Sequence, residues 1–251
     1  MKNLSGKVAI VTGGARDIGR QISVGLAAAG VKVCFNYFDS EEQADETSKL
    51  IKEHNGEAIG VQGDMTKPED VNKLVKGCVD AFGERIDIVV NVVGGLVGRK
   101  TIDAMDEKFW DFVMDVNLKS VFLVTKACTP YMGSGGSIIN FSSQAARDGG
   151  GPGAIAYATA KGGVLTMTRG LAKELGPKGI RVNAISPGMI ATTFHDTFTT
   201  PEVRERVAGM TPLRREGQAG EVADLVVYLA SDSSSFITGA SMEINGGTYF
   251  I

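Results

Sequence analysis

The chain has 251 residues, of which 43% are apolar and 22% charged, and its formal net charge at pH 7 is -3. This balance is typical of a globular protein and excludes a disordered or fibrous chain. The sequence has no long run of Lys or Arg, so we expect neither a nucleic-acid partner nor a membrane-surface partner.

Cysteine usage and the N-terminal sequence indicate the compartment. Cys34, Cys78 and Cys128 are odd in number, far apart and outside C-x-x-C spacing, which predicts neither a disulfide framework nor a metal site. No signal-type stretch follows Met1, and no stretch reaches the roughly 18 consecutive apolar residues of a membrane span. We therefore expect a cytoplasmic protein with reduced cysteines.

Strand and helix patterns alternate along the chain. An apolar run at residues 8–11 ends in a glycine-rich turn, and helical spacing of apolar residues begins at Ile18. Strand patterns return at 31–37, 58–62 and 86–93, with helices at 40–54 and after Pro68. Later strand patterns lie at 137–141, 180–185 and 240–244. This order predicts one α/β domain over residues 1–251, a doubly wound parallel sheet of about seven strands with helices on both faces.

The first turn has the composition of a phosphate-binding loop. It reads Thr12-Gly13-Gly14-Ala15-Arg16-Asp17-Ile18-Gly19 and joins the first strand to the first helix. Glycines let a backbone approach a pyrophosphate, and the helix N-terminus offers free N–H groups. The alternative is a tight turn that binds no ligand.

A tyrosine and a lysine stand four residues apart in a helical pattern. Tyr157 and Lys161 would share one helix face, and a nearby ammonium lowers the pKa of a phenol towards the range useful in acid–base catalysis. Ser143 follows a predicted strand and could hold a substrate carbonyl. For Tyr157 and Lys161 the alternative is a solvated helix face. For Ser143 the alternative is that it and Ser142 close a turn.

Together these segments resemble the short-chain dehydrogenase/reductase family over nearly the whole chain. The matches are the T-G-x-x-x-G-x-G turn, the Y-x-x-x-K helix, residues 91–94, Asn117, Ser143, Pro187-Gly188 and residues 245–247. The resemblance implies a Rossmann-like fold and a carbonyl reductase with catalytic residues Asn117, Ser143, Tyr157 and Lys161. Tyr157 would protonate the carbonyl oxygen, Lys161 would hold the nicotinamide ribose and lower the pKa of Tyr157, and Ser143 would orient the oxygen. Asn117 would position a water that restores the proton.

The resemblance also implies a nicotinamide cofactor. NADPH is favoured because Arg16 could meet a 2′-phosphate and Tyr37 stands where NAD-preferring relatives commonly have a carboxylate, but Asp39 leaves NADH possible. Asp64 is also expected to contact the cofactor, and the alternative for this residue is a turn that caps a helix. The residues expected to bind cofactor are Gly13, Arg16, Asp17, Ile18, Gly19, Tyr37, Asp64, Met65, Asn91, Gly94, Tyr157, Lys161, Pro187, Gly188, Ile190 and Thr192.

The sequence departs from the family pattern at two places. Asp17 replaces the middle glycine of the turn, and its charge would repel a phosphate unless it caps the helix or pairs with Arg16 or Arg20. Residues 91–94 read Asn-Val-Val-Gly where the family usually has N-N-A-G, which predicts a repacked floor of the site.

Three loops are expected to border the substrate end of the site. The residues expected to bind substrate there are Arg99, Lys100, Arg147, Gly150 and His195. Their cations suit a carboxylate, and the loops resemble those of reductases that convert 4-deoxy-5-hexoseulose uronate to 2-keto-3-deoxygluconate. The alternatives are solvated surface cations, a 3-oxoacyl-carrier-protein reductase or other sugar or ketone dehydrogenase, and a nucleotide-sensing binding protein.

The resemblance further implies a homotetramer, to which the apolar helix at 164–175 could contribute. Whether the loop at 191–210 closes as a lid is left open by the sequence.

Overall fold

The computed structural model describes residues 4–250. Its strands are β1 (Val8–Thr12), β2 (Lys32–Tyr37), β3 (Ala58–Gln62), β4 (Ile88–Asn91), β5 (Ser137–Phe141), β6 (Arg181–Pro187), β7 (Ile190–Ala191), β8 (Gly217–Gln218) and β9 (Ser241–Ile244). Its helices are α1 (Asp17–Ala28), α2 (Glu41–Glu53), α3 (Pro68–Phe82), α4 (Glu107–Met114), α5 (Ser120–Cys128), α6 (Ala145–Asp148), α7 (Ile155–Leu175), α8 (Thr193–Phe198), α9 (Pro201–Met210) and α10 (Ala219–Ala230). Within the same residues, no helix combines the length and apolarity needed to cross a membrane.

Seven strands form one parallel sheet in the order β3-β2-β1-β4-β5-β6-β9. The chain winds outwards from β1 in one direction and then, from β4 on, in the other. The strand order therefore reverses between β1 and β4, and ligands of such sheets bind beyond the carboxyl ends of the strands at this point.

Apolar side chains bury both faces of the sheet. One buried cluster joins the sheet to α1, α2 and α10, and a second joins it to α3, α5 and α7. The central strands are apolar almost throughout because each is covered on two sides. The predicted α/β class, the parallel sheet and its seven strands are confirmed.

Two details differ from the predicted elements. The fourth strand ends at Asn91 rather than at Val93, because the backbone N–H groups of Val92 and Val93 donate to Thr12 Oγ1 at 3.0 and 3.2 Å instead of extending the ladder. The additional pair β7–β8 was not predicted, since strands of two residues are too short to show a period.

Candidate active site

A cavity of about 1310 Å³ opens at the carboxyl edge of the sheet. Its wall is built from the turn after β1, the ends of β2, β4 and β5, the start of α7, and the segment from Pro187 to Val207. The cavity therefore lies at the reversal of strand order, where the glycine-rich segments converge.

The turn between β1 and α1 requires glycine for geometric reasons. Gly13 has φ +62°, which is the left-handed region that favours glycine, and its N–H donates to Asn36 Oδ1 at 3.2 Å. A Cβ on Gly19 would lie 1.9 Å from the carbonyl oxygen of Gly13. This close approach leaves a concave backbone without side chains, which fits the pyrophosphate of a dinucleotide.

Gly19→Ala is expected to weaken NADPH binding sharply. The added methyl group must displace the turn, and overpacking of this kind costs about 1–3 kcal/mol, which corresponds to a loss of roughly 5- to 150-fold in affinity. The change in NADPH fluorescence on titration measures the dissociation constant.

Gly25→Ala is the matched control on the same helix, because its Cβ would meet Val227 and Ala223 at ordinary distances of 3.6 and 3.8 Å. Unchanged NADPH affinity in Gly19→Ala would show that the turn does not hold the cofactor.

Two hydroxyls meet at the end of β5 and the start of α7. Ser143 interacts with the Tyr157 phenol closely enough to lower its pKa in part, and Ser143 Oγ accepts from the N–H of Ala145 at 3.1 Å. Both side chains line the cavity. A carbonyl oxygen placed here would meet two hydroxyl donors.

Lys161 is buried one helical turn after Tyr157. Its ammonium donates to the carbonyl oxygen of Phe141 at 2.8 Å and lies 5.8 Å from the centre of the Tyr157 ring. A Cβ on Gly94 would lie 2.7 Å both from Lys161 Nζ and from Asn117 Oδ1, so only glycine lets these two side chains come so near the β4 loop.

Asn117 lies in a π-type turn between α4 and α5 and is fully buried. Its amide oxygen accepts from the N–H of Gly95 at 2.9 Å, and its amide nitrogen donates to the carbonyl oxygens of Gly95 and Val113. Asn117 thereby fixes the β4 loop next to Lys161. Of the four predicted catalytic residues, Ser143, Tyr157 and Lys161 line the cavity, whereas Asn117 lies outside its wall and contacts the β4 loop that lines it.

Burial controls the acid–base groups. Burial raises the pKa of Tyr157, and the hydrogen bond from Ser143 only partly lowers it. Burial also lowers the pKa of Lys161 to about 8. The expected lowering of the tyrosine pKa by Lys161 is therefore corrected, because burial of the phenol raises the pKa and Ser143, not Lys161, is the group that partly lowers it.

Most of the residues predicted to bind cofactor line the cavity. They are Gly13, Arg16, Asp17, Ile18, Gly19, Tyr37, Gly94, Tyr157, Lys161, Pro187, Gly188, Ile190 and Thr192. The Arg16 side chain is 65% exposed and lines the wall, as do Tyr37 and Asp39. These residues fit a dinucleotide, with the glycine turn for the pyrophosphate and a guanidinium for a ribose phosphate.

Three of the residues predicted to bind cofactor lie outside the cavity wall. Asp64 accepts from the N–H and hydroxyl of Thr66, as a turn residue does. Met65 is buried in the core between sheet and helices. Asn91 donates to Asn140 Oδ1 at 2.9 Å within the sheet, so its side chain is engaged there and not at the cavity.

The predicted substrate residues are divided. Arg99, Gly150 and His195 line the cavity. Lys100 instead pairs with Asp106 at 2.8 Å, and Arg147 forms a largely buried ion pair with Glu243 at 3.3 Å. The expectation that all three loop cations face the substrate is corrected, because two of them are neutralised by carboxylates outside the wall.

Arg99 and His195 stand at the substrate end. Arg99 donates to the carbonyl oxygen of Pro152 at 3.0 Å, which joins two loops of the wall. His195 shares a hydrogen bond with Thr199, and burial lowers the pKa of His195, with Arg99 among the cations that contribute. The imidazole is therefore neutral at pH 7.

Further residues of the wall had not been predicted. They include Ser40, Gln43 and Arg206. Asn36 lies behind the glycine turn and ties it to the ends of β2 and β3 through its amide. A polar residue inside the apolar strand β2 was a signal for Asn36, whereas nothing local marks Arg206.

Among residues 4–250, no group of three or more His, Cys, Asp or Glu side chains is arranged to hold a metal ion. The three cysteines, Cys34, Cys78 and Cys128, are free thiols buried in the core.

Comparisons with known proteins agree with this geometry. Residues 13–249 match the family model described as "Enoyl-(Acyl carrier protein) reductase". A 3-oxoacyl-[acyl-carrier-protein] reductase of Staphylococcus aureus is 37% identical over 245 residues, which are 97% of this chain and 98% of that protein.

Solved structures give the same result. A short-chain dehydrogenase/reductase from Serratia marcescens superposes with a TM-score of 0.92 at 32% identity, and a short-chain dehydrogenase from Burkholderia cenocepacia in complex with NADP superposes with a TM-score of 0.90 at 32% identity. Each comparison covers 98% of both chains. The likeness therefore extends over the whole molecule rather than over the nucleotide-binding half alone.

Proposed function

The chain belongs to the short-chain dehydrogenase/reductase family and is an NAD(P)-dependent oxidoreductase, and from this premise we propose that it reduces 3-oxoacyl thioesters with NADPH. The observation that carries the proposal is that Ser143, Tyr157 and Lys161 line the same cavity as the glycine turn. The 3-oxoacyl-carrier-protein reductase of Staphylococcus aureus, similar over nearly its full length, supports this substrate class.

The proton side of the reaction follows from the buried phenol. When bound, NADPH supplies the hydride that forms the new C–H bond and is left as NADP⁺. Ser143 holds the carbonyl oxygen, and Tyr157 gives it the proton that completes the alcohol. Because burial raises the pKa of Tyr157, the phenol is protonated and ready to act as the acid at neutral pH.

Lys161 acts next to this acid. Its ammonium stabilises the phenolate left after proton transfer and would hold the nicotinamide ribose. Asn117 keeps the β4 loop beside that ammonium, and we retain its role in restoring the proton through a water. The protein thus contributes alignment, charge stabilisation and a proton, while the redox change belongs to the cofactor.

The cofactor preference is assigned to NADPH. Arg16 in the wall offers a planar guanidinium for a 2′-phosphate, and Tyr37 brings no competing carboxylate. The Burkholderia cenocepacia relative is a complex with NADP. Asp39 also lines the wall, so NADH is retained as the second cofactor.

An acyl chain matches the apolar part of the cavity. Leu96, Ala154, Phe194, Phe198 and Val207 are apolar residues of its wall. The segment 191–210 near the mouth has two cations and three carboxylates, so it offers no basic patch for an acidic carrier protein. Acetoacetyl-coenzyme A is therefore the first probe.

A second candidate is supported by the cations of the wall. Arg99 and Arg206 line the same cavity as neutral His195, and a guanidinium binds a carboxylate in a bidentate manner. These residues favour an aldehyde or ketone that also bears a carboxylate, such as 4-deoxy-5-hexoseulose uronate.

With either substrate, we propose a homotetramer in the cytoplasm, by likeness to the family.

Steady-state assays of NADPH oxidation separate the two substrates. We expect kcat/KM for acetoacetyl-coenzyme A to exceed that for the uronate by tenfold or more. The reverse ratio would replace the thioester with the carboxylate-bearing substrate. A Lys76→Gln variant, changed at an exposed ion pair far from the wall, provides the matched control for preparation and folding.

A further inference from the structure

Asp17 joins two segments that are far apart in the chain. Its carboxylate accepts from the N–H of Thr193 at 3.1 Å and from the hydroxyl of Thr193 at 2.5 Å. Asp17 belongs to the glycine turn, and Thr193 is the first residue of α8. Asp17 makes no side-chain capping bond at its own helix, and Arg20 pairs with Glu46 instead. Of the two arginines expected to pair with Asp17, Arg16 does so, at 3.9 Å.

Asp17 adopts a backbone conformation that costs free energy. Its φ is +49°, in the left-handed region where a side chain is disfavoured. Strain at such a position persists only where surrounding contacts maintain it. The two hydrogen bonds to Thr193 are contacts of this kind.

The helix that Asp17 holds covers the reacting end of the cavity. Phe194 lies 6.3 Å from the Tyr157 ring and 5.3 Å from the Phe198 ring, measured between centroids. Asp196 of α8 pairs with Arg204, which is also bonded to Glu216 at 2.6 Å. The helix α8 is therefore held by Asp17 at its start and by Arg204 further along.

The same carboxylate adds negative charge to the phosphate-binding turn. The nearest cation in the turn, Arg16, has its Nε 3.9 Å from Asp17 Oδ2, a distance that gives weak compensation for an exposed pair. Asp17 thus opposes the binding of a pyrophosphate on the glycine backbone next to it.

We propose that Asp17 is a positioning residue that ties α8 to the phosphate-binding turn and so fixes Phe194 over Tyr157, at the expense of cofactor affinity. The part that concerns affinity rests on the proposed use of NADPH. The part that concerns α8 depends only on contacts within the chain.

Four variants separate the bond from the charge. Asp17→Gly removes both, and glycine adopts the left-handed backbone without strain, so the turn itself remains feasible. Asp17→Asn removes the charge and keeps an acceptor for the N–H of Thr193. Thr193→Val removes one bond and leaves the charge, and Thr193→Ser restores the hydroxyl.

Hydrogen exchange of the α8 amides in the cofactor-free protein is the first measurement. We expect exchange about fivefold faster or more in Asp17→Gly, as for loss of a helix cap, a smaller increase in Thr193→Val, and rates near wild type in Asp17→Asn and Thr193→Ser. Equal exchange of α8 in Asp17→Gly and wild type would overturn the proposal, whatever substrate the enzyme reduces.

Cofactor affinity and substrate KM are the second readout. Asp17→Gly and Asp17→Asn should both bind NADPH several-fold more tightly, while only Asp17→Gly raises KM for the carbonyl substrate. If Asp17 had a merely structural role, Asp17→Gly would bind both NADPH and the carbonyl substrate more weakly, and that outcome would contradict the proposal. Should no carbonyl compound be reduced, the exchange rates of α8 still decide the inference.

Discussion

Tyr157→Phe is expected to lower kcat by about 10²- to 10⁴-fold, the range associated with loss of a general acid. The variant removes one hydroxyl, and its ring still packs against Phe194. Because no carbon atom is lost, the cavity keeps its shape and NADPH affinity should stay within a factor of about three. Stopped-flow and steady-state NADPH absorbance, with fluorescence titration for binding, measure the two quantities.

Tyr131→Phe is the control for this substitution. Tyr131 lies in the turn after α5 and outside the cavity wall. The kcat of the Tyr131→Phe variant should therefore match that of the wild type. Near-normal turnover by Tyr157→Phe would remove the phenol from the mechanism and leave Ser143 as the only hydroxyl at the oxygen.

Lys161→Met is expected to lower kcat/KM by about 10²- to 10³-fold, in the range seen when one group that stabilises developing charge is removed. Methionine has a similar length and keeps the buried stem packed. Unlike Tyr157→Phe, this variant should also weaken NADPH binding, because the ammonium would hold the nicotinamide ribose. Lys173→Met, an exposed position near the end of the same helix, should behave as wild type.

The pH dependence of reduction is a second test of the role of Lys161. The pKa of Lys161 is lowered to about 8, so its ammonium is present below pH 8 and is lost as the pH rises. The pKa of Tyr157 is raised, so the phenol keeps its proton over this range. Wild-type kcat/KM should therefore fall above pH 8, and Lys161→Met should show no fall there. A wild-type profile that is flat from pH 7 to pH 10 would contradict the role of Lys161.

The sequence was informative wherever chemistry depends on local spacing. Four-residue spacing puts Tyr157 and Lys161 on one face of α7, and a glycine turn after β1 has to reach the carboxyl edge of a parallel sheet. Ser143 and Gly94 follow strands of that sheet, so their convergence follows from the topology alone. These positions could be predicted because helix and strand geometry fixes them.

Contacts between distant segments could not be predicted in this way. The bond from Asp17 to Thr193 spans 176 residues, and the pair of Arg147 with Glu243 spans 96. Local pattern says that a cation lies in a loop, but it does not say which carboxylate neutralises it. The same reason explains why the loop pattern predicts Lys100 and Arg147 at the substrate end although only Arg99 of the three lines it.

The direction of the pKa shift of Tyr157 could not be predicted from the sequence either. The spacing of Tyr157 and Lys161 suggested a lowered phenol pKa, whereas burial penalises charge on both groups, raising the pKa of Tyr157 and lowering that of Lys161. The consequence is an acid that is protonated at neutral pH, which suits reduction of a carbonyl more directly than its reverse.

Transfer of deuterium from 4-deuterated NADPH to acetoacetyl-coenzyme A, followed by mass spectrometry of the product, tests most directly whether the cavity is the active site of a carbonyl reductase. We predict one 3-hydroxyacyl product formed for each NADPH oxidised, with deuterium on the carbinol carbon when the 4-position that faces the substrate is labelled. Tight binding of NADPH without oxidation by this thioester, by the uronate or by other ketones and aldehydes would contradict the account and favour a protein that senses nucleotide without catalysis.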